Sequence, residues 1–200
     1  MNLIIPVVNV KGQYNHLIVR VLAELGTKSS LVPLSVTIDE LEEIGYDALV
    51  VGGGPQSVYE ENSRRELHDL EGLFKENSKP LLCICVSHQL LAEALGGKTG
   101  PAKSPEFGQI IVNVDQENEI LRETGPSFTA WASHNDEVIR MPEGFEKLAH
   151  SESCEVEAMR STSMPIYGLQ FHPEVWHTSR GRTIFRNFVE IVKKNMEIEK

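Results

Sequence analysis

A cysteine stands where a predicted buried strand turns into a predicted helix. The apolar run at residues 80–84 is typical of a strand covered on both faces, and residues 87–95 have a helical pattern. Cys85 lies at the abrupt junction, which is the geometry of a nucleophile elbow, a sharp turn that exposes one side chain. The positive end of the helix dipole would stabilise a thiolate there. The alternative is an inert core cysteine, since free cysteines are among the most buried residues.

A histidine and a carboxylate just beyond another predicted strand offer a base for that thiol. Pro173 has no N–H group and favours an extended conformation for His172, so the strand predicted from residue 166 should end near this point. In extended chain, the side chains of His172 and Glu174 can project to the same side, where the carboxylate can orient the imidazole. The alternative is a surface turn with an incidental ion pair.

A glycine-rich turn provides a third group. Residues 52–55 read Gly-Gly-Gly-Pro and directly follow a strand predicted at residues 48–51. Without a side chain, the backbone lets an N–H group point at a developing oxyanion. Alone, this turn is equally typical of a flexible connection. The indication of chemistry is that all three turns follow strands, because open parallel sheets bind ligands at the carboxyl ends of their strands.

The elements that would position these turns alternate between strand and helix in the first half of the chain. Short apolar runs alternate with amphipathic stretches, as in repeated βα units. A capping box at Thr37 and Glu40 predicts the start of one of the helices. Strands are predicted at residues 3–8, 30–34, 48–51 and 80–84, and further helices at residues 14–25, 67–74 and 87–95.

The second half of the chain has a β pattern and ends in a helix. Strands are predicted at residues 109–114, 127–132, 146–150, 155–159 and 166–171, and a helix at residues 180–194. No repeat, low-complexity tract or linker divides the chain. We therefore predict one α/β domain over residues 1–200, with a mainly parallel open sheet flanked by helices and an antiparallel β extension in the second half.

Composition excludes several classes of partner and location. Among 200 residues, 19 are Lys or Arg and 29 are Asp or Glu, and a formal charge of −10 argues against nucleic-acid binding. The remaining partners are small molecules and proteins. Three cysteines are a poor set for a secreted disulfide framework, and there is no signal-peptide pattern or long apolar run. We expect a cytoplasmic protein that is not in a membrane, with no metal site, and with Cys83 packed in the core.

At these same residues the sequence resembles the class I, triad-type glutamine amidotransferases over nearly the whole chain. Within that family it is most similar to the separate glutaminase subunits of two-subunit GMP synthases, because of the Ser-His-Asn-Asp-Glu-Val run at residues 133–138 and of His177-Thr178. The other motifs that carry the resemblance are Gly12-Gln13-Tyr14, Gly53-Gly54-Pro55-Gln56-Ser57, Cys85-Val86-Ser87-His88-Gln89, Val156-Glu157-Ala158-Met159 and Phe171-His172-Pro173-Glu174.

The resemblance implies roles for individual residues. It makes Cys85 the nucleophile, His172 the acid and base, and Glu174 the residue that orients His172. It places the oxyanion donors at the backbone N–H groups of Gly54 and Val86. The residues that would hold the amino-acid end of glutamine are Gln89, Ser133, Asn135 and Asp136. The resemblance also implies a partner: an ATP-binding synthetase subunit that holds ATP and magnesium and receives ammonia at the face around the three turns, with no cofactor in this chain.

Four departures from the family pattern leave other functions open. The family usually has glycine at Cys83 and Ser87, an acidic residue in the loop at residues 9–12, and serine at Gly52. The changed elbow predicts lower or more strictly partner-dependent activity. The alternatives are the glutaminase of another amidotransferase, such as the anthranilate synthase type, a catalytically silent regulatory subunit, and a peptidase or γ-glutamyl hydrolase on the same fold.

Overall fold

The computed structural model describes residues 2–198, so both ends of the domain predicted at 1–200 lie outside the described residues. The strands are β1 (Val7–Val8), β2 (Leu31–Val32), β3 (Leu49–Val51), β4 (Leu81–Ile84), β5 (Lys98–Val114), β6 (Ser127–Arg140), β7 (Phe145–His150), β8 (Ala158–Ser161) and β9 (Ile166–Leu169). The helices are α1 (Asn15–Glu24), α2 (Ile38–Glu43), α3 (Glu61–Glu66), α4 (His68–Glu76), α5 (Val86–Ala94) and α6 (Gly181–Ile198).

Within residues 2–198 the strands form one mixed sheet in the order β2-β1-β3-β4-β9-β8-β7-β5-β6. The pairs from β2 to β9 are parallel, and those from β9 to β6 are antiparallel. The predicted fold class, a mainly parallel sheet with an antiparallel extension, is therefore confirmed.

The order of the central strands brings the three turns together. β3, β4 and β9 are neighbours, and in their register Val51 lies opposite Cys83, which lies opposite Gly168. The strands are parallel, so their carboxyl ends meet at one edge of the sheet. The glycine turn, the elbow and the His-Pro-Glu turn consequently lie side by side, although they are far apart in sequence.

Helices cover both faces of the sheet. Along β1, β3 and β4, successive residues belong to different apolar clusters. Val50 packs on one face with α1 and α6, and Val51 packs on the other with α2, α4 and α5. This alternation follows from the period of two in a strand. The capping box that opens α2 is present, since Thr37 Oγ1 accepts from the Glu40 N–H group and the Glu40 carboxylate accepts from the Thr37 N–H group. That predicted helix start is confirmed.

The second half differs from the prediction in the length of its strands. β5 and β6 form a long hairpin over Lys98–Val114 and Ser127–Arg140, whereas the predicted strands covered only residues 109–114 and 127–132. Prolines at 101 and 105 are typical of a loop, yet they coincide here with a break in register between Pro101 and Glu106. The correction matters for the site, because residues 133–136 lie inside β6 rather than in a loop.

Candidate active site

The turn at Cys85 is the sharp elbow that the sequence predicts. Cys85 has φ 57° and ψ −115°, a strained conformation for a residue with a side chain. Its N–H group donates to the carbonyl of Leu169 on β9 at 2.8 Å, and its carbonyl accepts from Gln89 in α5 at 3.2 Å. These two bonds hold the backbone on both sides of the thiol, so the strain is supported by the sheet and by the first turn of the helix.

The residues that replace the usual glycines of the elbow are accommodated. The Ser87 hydroxyl accepts from the Ile84 N–H group at 2.8 Å and donates to the Val51 carbonyl at 2.7 Å, which ties the elbow to β3. Cys83 is fully buried in the core, as predicted, and burial raises the pKa of its thiol. The elbow geometry therefore persists without those glycines, while the expected lower or partner-dependent activity stays a prediction.

His172 lies beside the elbow with its carboxylate partner behind it. His172 Nδ1 is 2.7 Å from Glu174 Oε1, and both side chains are buried. The His172 backbone is fixed as well, since its carbonyl accepts from Thr178 Oγ1 at 2.7 Å and its N–H group donates to the Trp131 carbonyl at 2.8 Å. The ring also meets the edge of Tyr14, with centroids 5.3 Å apart.

The electrostatics of this pair favour a protonated imidazole. Burial lowers the pKa of His172, but the negative charges of Glu174 and of a Cys85 thiolate outweigh it and hold the pKa well above its ordinary value. An imidazolium beside a thiolate is the resting state of a Cys-His nucleophile. The proton that such a reaction gives to its leaving group is thus already in place.

The glycine turn lies in close contact with both groups. A Cβ at Gly53 would lie 3.0 Å from His172 Cε1 and 3.3 Å from Cys85 Cβ, and one at Gly54 would lie 2.3 Å from the Val10 carbonyl oxygen. Asn15 holds the turn from below by donating to the Gly53 carbonyl at 3.2 Å. The backbone of the turn therefore lies directly against the predicted reacting groups.

The amide of Asn9 stands in for the acidic residue that the family usually has in the first loop. Asn9 Oδ1 accepts from Asn15 Nδ2 at 3.0 Å and from the Lys11 N–H group at 3.0 Å. A carboxylate oxygen would accept the same bonds, so this departure leaves the loop in place. At Gly52 a Cβ would lie 2.1 Å from Asn15 Oδ1, so a serine there would require the Asn15 side chain to shift.

These elements line a cleft of about 760 Å³. It is bordered by eight of the nine residues predicted for the site: Gly54, Cys85, Val86, Gln89, Ser133, Asn135, Asp136 and His172. The ninth, Glu174, lies behind His172. The fold therefore brings the predicted residues together around one cleft, while their roles stay predictions.

The side of the cleft opposite the glycine turn is formed by β6. The Cys85 thiol is 3.9 Å from the Ser133 carbonyl, and Gln89 Nε2 donates to the Asp136 carbonyl at 2.7 Å. The Asp136 carboxylate accepts from Ser57 Oγ at 2.7 Å, which connects the two walls across the cleft. The Asn135 side chain is exposed.

Comparison with known proteins identifies the family. The profile for glutamine amidotransferase class-I matches residues 6–192. The chain belongs to the class-I glutamine amidotransferase family. It is 44% identical to a glutamine-hydrolyzing GMP synthase subunit of Sulfurisphaera tokodaii, over 95% of this chain and 99% of that protein. It is 40% identical to the protein of the same name from Methanosphaera stadtmanae, over 94% of this chain and 97% of the relative.

Solved structures agree with this membership. A Thermoplasma acidophilum protein described as a GMP synthase subunit has a TM-score of 0.92 and 38% identity, covering 100% of this chain and 98% of its own. A glutamine amidotransferase from Thermotoga maritima has the same fold, with a TM-score of 0.75 and 22% identity over 100% of this chain and 86% of that one.

Three residues of this amidotransferase that contact the site were not singled out from the sequence for such a role. Asn15 shares a helix face with Ile18 and Leu22, and a polar residue on an apolar face is a signal that could have indicated it. Gln170 is a polar residue among the apolar ones at the end of β9, which is a comparable signal. Ser57 gives no such signal, because a serine in a turn is ordinary.

A separate buried cluster has the residue types of a metal site. Ligand atoms of His134, Cys154 and Glu157 lie within 4.8 Å of one another. Burial raises the pKa of both Cys154 and Glu157, so both are held in the neutral form, whereas metal ligands must lose their protons. His134 Nε2 is also 2.9 Å from Glu106 Oε2. The donor set therefore fits a hydrogen-bonded cluster better than an ion, and the absence of a metal stays a prediction.

Among the helices of residues 2–198, none combines the length and the apolar character that crossing a membrane requires.

Proposed function

We propose that this amidotransferase is the glutaminase subunit of a two-subunit GMP synthase. The observation that carries the chemistry is the strained Cys85 beside His172, whose Nδ1 is 2.7 Å from Glu174. The choice among amidotransferases is supported by relatives named as GMP synthase subunits, which match this chain over nearly their full length. That likeness favours GMP synthase over the anthranilate synthase type.

In the proposed first step, the Cys85 thiolate attacks the side-chain carboxamide carbon of glutamine. The new C–S bond moves the carbonyl electrons onto oxygen, and the tetrahedral intermediate collapses by breaking the C–N bond. His172 Nε2 gives its proton to the departing nitrogen, so ammonia leaves and a glutamyl thioester remains. Glu174 keeps the imidazole oriented through Nδ1.

The oxyanion of that intermediate is assigned to the backbone N–H groups of Gly54 and Val86. Val86 is the first residue of α5, so its N–H group has no carbonyl partner within the helix and lies at the positive end of the helix dipole. Gly54 lies in the turn that contacts Cys85 and His172. One such donor is typically worth about 3 kcal/mol of transition-state stabilisation.

In the second step, neutral His172 takes a proton from water as the water oxygen attacks the thioester carbon. The C–S bond breaks, glutamate leaves, and the thiolate and imidazolium are restored. The amino-acid end of the substrate would be held in the part of the cleft lined by Gln89, Ser133, Asn135 and Asp136.

The ammonia is proposed to pass to a separate synthetase subunit that binds ATP and magnesium and aminates xanthosine monophosphate. The relatives are themselves named as subunits, which supports a second polypeptide in the assembly. The docking surface is proposed around the three turns, where Trp176 is 84% exposed and its ring lies tilted against that of His177, with centroids 3.8 Å apart. Tryptophan is enriched among the residues that carry most of the binding energy of protein interfaces. A cytoplasmic location is part of this proposal, supported by three free cysteines.

Glutamate release from glutamine tests the chemistry. The wild-type chain should release glutamate, faster with the synthetase subunit, ATP and xanthosine monophosphate present, and Cys85→Ala should abolish the release. Cys154→Ser is the matched control, since it removes a buried thiol outside the cleft. Equal rates for wild type and Cys85→Ala would overturn the proposed nucleophile, and no release under either condition would favour a silent regulatory protein.

A further inference from the structure

The amide of Gln89 has its orientation set by the backbone. The Asp136 carbonyl oxygen is only an acceptor, and it lies 2.7 Å from Gln89 Nε2, so the NH₂ end of Gln89 must face it. The same carbonyl is 3.0 Å from His134 Nδ1, and His134 Nε2 is held by Glu106 at 2.9 Å. The acceptor that orients Gln89 is therefore fixed from both sides.

The second N–H group of Gln89 in turn fixes Gln170. Gln89 Nε2 lies 3.0 Å from Gln170 Oε1, so the oxygen of Gln170 must face Gln89 and its NH₂ end must face away. That NH₂ end lies 4.0 Å from Cys85 Sγ, within reach of a hydrogen bond to sulfur. Gln170 is fully buried, and its backbone N–H group donates to the Glu157 carbonyl at 2.8 Å.

We propose that Gln170 is a positioning residue that serves the nucleophile and the substrate site at once. Its N–H group stabilises the Cys85 thiolate, because a donor favours the anionic sulfur over the neutral thiol. Its oxygen accepts a hydrogen bond from one N–H of the Gln89 amide, and the Asp136 carbonyl accepts from the other. Gln89 Oε1 is then left to accept from the ammonium group of glutamine. This inference rests on the proposed function, since it takes Cys85 as nucleophile and Gln89 as a substrate ligand.

The thiolate half of the proposal is tested by the rate of Cys85 alkylation with iodoacetamide as a function of pH, with the label assigned by peptide mass spectrometry. Gln170→Met keeps the length of the side chain and removes its donor and acceptor. We expect alkylation at neutral pH to slow by about three- to tenfold. His172 and Glu157, whose pKa values a Cys85 thiolate raises, are both kept in this variant.

The substrate half is tested by glutamine binding in the Cys85→Ala background, where no reaction follows. Calorimetry should show weaker binding when Gln170→Met is added. In a Gln89→Leu protein the same Gln170→Met change should have no further effect, because its partner is gone. A residue that only fills the core would weaken binding equally in both backgrounds, and that result would overturn the proposal.

Two further variants keep the outcome decisive. Gln116→Met is the control, since Gln116 is exposed outside the cleft, and it should behave as wild type in both assays. If Gln170→Met does not fold, Gln170→Asn is used with the same criteria, because the shorter amide cannot span both contacts. An alkylation profile and a glutamine affinity that match wild type overturn the inference alone. A wild-type Cys85 that reacts no faster than a denatured cysteine overturns the proposed function as well.

Discussion

At the scale of single residues, the protonation state of His172 depends on the charges of its two neighbours, Glu174 and Cys85. The pKa of His172 is raised only because a carboxylate and a thiolate lie against it in a buried place, since burial by itself acts in the opposite direction. The imidazolium is therefore a property of the group of three. Removing the charge of one member should change the protonation of another.

Replacing Glu174 by glutamine tests this balance. Glu174→Gln keeps an acceptor for Nδ1 but removes the negative charge, so the pKa of His172 should fall. The proton that His172 gives to the leaving group is present at low pH and is lost as pH rises through the pKa of His172. The alkaline limb of glutamate release should therefore move down by about one pH unit or more, with the maximal rate lowered about 100-fold or more.

The control for this variant is Glu155→Gln, which removes a carboxylate from an exposed ion pair with Lys147. Its pH profile for glutamate release should match that of wild type. An alkaline limb at the same pH in Glu174→Gln and wild type would contradict the proposed coupling.

The sequence indicated candidate reacting residues more readily than the residues around them. Cys85, His172 and Glu174 could be named as candidates because each follows a predicted strand, and strand ends meet in a parallel sheet. Gln170 could not be given a role, because its two contacts depend on the register of β4 with β9 and on the course of β6. Gln170 is 81 positions from Gln89 and 85 positions from Cys85 in sequence.

At the scale of elements, the turn after β3 is as important as the elbow. Gly53 lies where a side chain would enter the space between His172 and Cys85. A Cβ there would crowd His172 Cε1 at 3.0 Å and Cys85 Cβ at 3.3 Å. The element therefore contributes to the site by leaving space.

Adding one methyl group to this turn should be far more harmful than adding one to a helix. Gly53→Ala should lower glutamate release by about 100-fold or more, because its Cβ would separate the reacting pair by pushing against His172. Gly72→Ala in α4 meets no atom within 4 Å, so it should leave the rate unchanged and raise the free energy of unfolding by about 0.5–1 kcal/mol. Glutamate release and urea unfolding are the measurements. Full activity in Gly53→Ala would contradict the close approach.

Helix α5 carries a histidine in the core that makes the fold sensitive to acid. His88 is fully buried, and burial lowers its pKa to about 3. A histidine with a lowered pKa contributes stability that is present above its ordinary pKa and is lost as pH falls toward the lowered value. The carboxylate of Glu106 does not add to this effect. Burial raises its pKa, but hydrogen bonds, chiefly the one from His134, outweigh burial and lower the pKa to about 2, which is below the pH range over which His88 acts.

His88→Leu should therefore reduce the loss of stability between pH 7 and pH 5. Urea unfolding of the wild type should show a decrease in the free energy of unfolding that is about 2 kcal/mol larger than that of the variant over this interval. An equal decrease in both proteins would show that His88 titrates normally in the folded state.

Element boundaries were predicted closely for some elements and poorly for others, such as β1, predicted at residues 3–8 and observed at Val7–Val8. β4 and α5 differ from the predicted ranges by a residue, because a doubly buried strand and a helix face have clear periodicity. α3 was missed, since none of its residues is buried. β5 begins 11 residues before the predicted strand, and its pairing with β6 shows that Pro101 and Pro105 are tolerated at a break in register.

At the scale of the whole molecule, the mixed sheet supplies the two halves of the chemistry. Its parallel part brings the elbow, the glycine turn and the histidine together, and its antiparallel part supplies β6 as the wall that holds Gln89 through Asp136. The acidic molecule, with a formal charge of −10, is then proposed to deliver ammonia to another protein. The fold class followed from the sequence, whereas the wall formed by β6 required the structure.

The most direct test of the central claim is the fate of the amide nitrogen. Glutamine labelled with ¹⁵N at the amide is supplied with ATP, xanthosine monophosphate and the synthetase subunit of the same organism, in an excess of unlabelled ammonium. We predict that wild type gives GMP that carries ¹⁵N, and that Cys85→Ala gives only unlabelled GMP made from the ammonium. GMP without ¹⁵N from the wild type, or equally labelled GMP from Cys85→Ala, would contradict the proposed function.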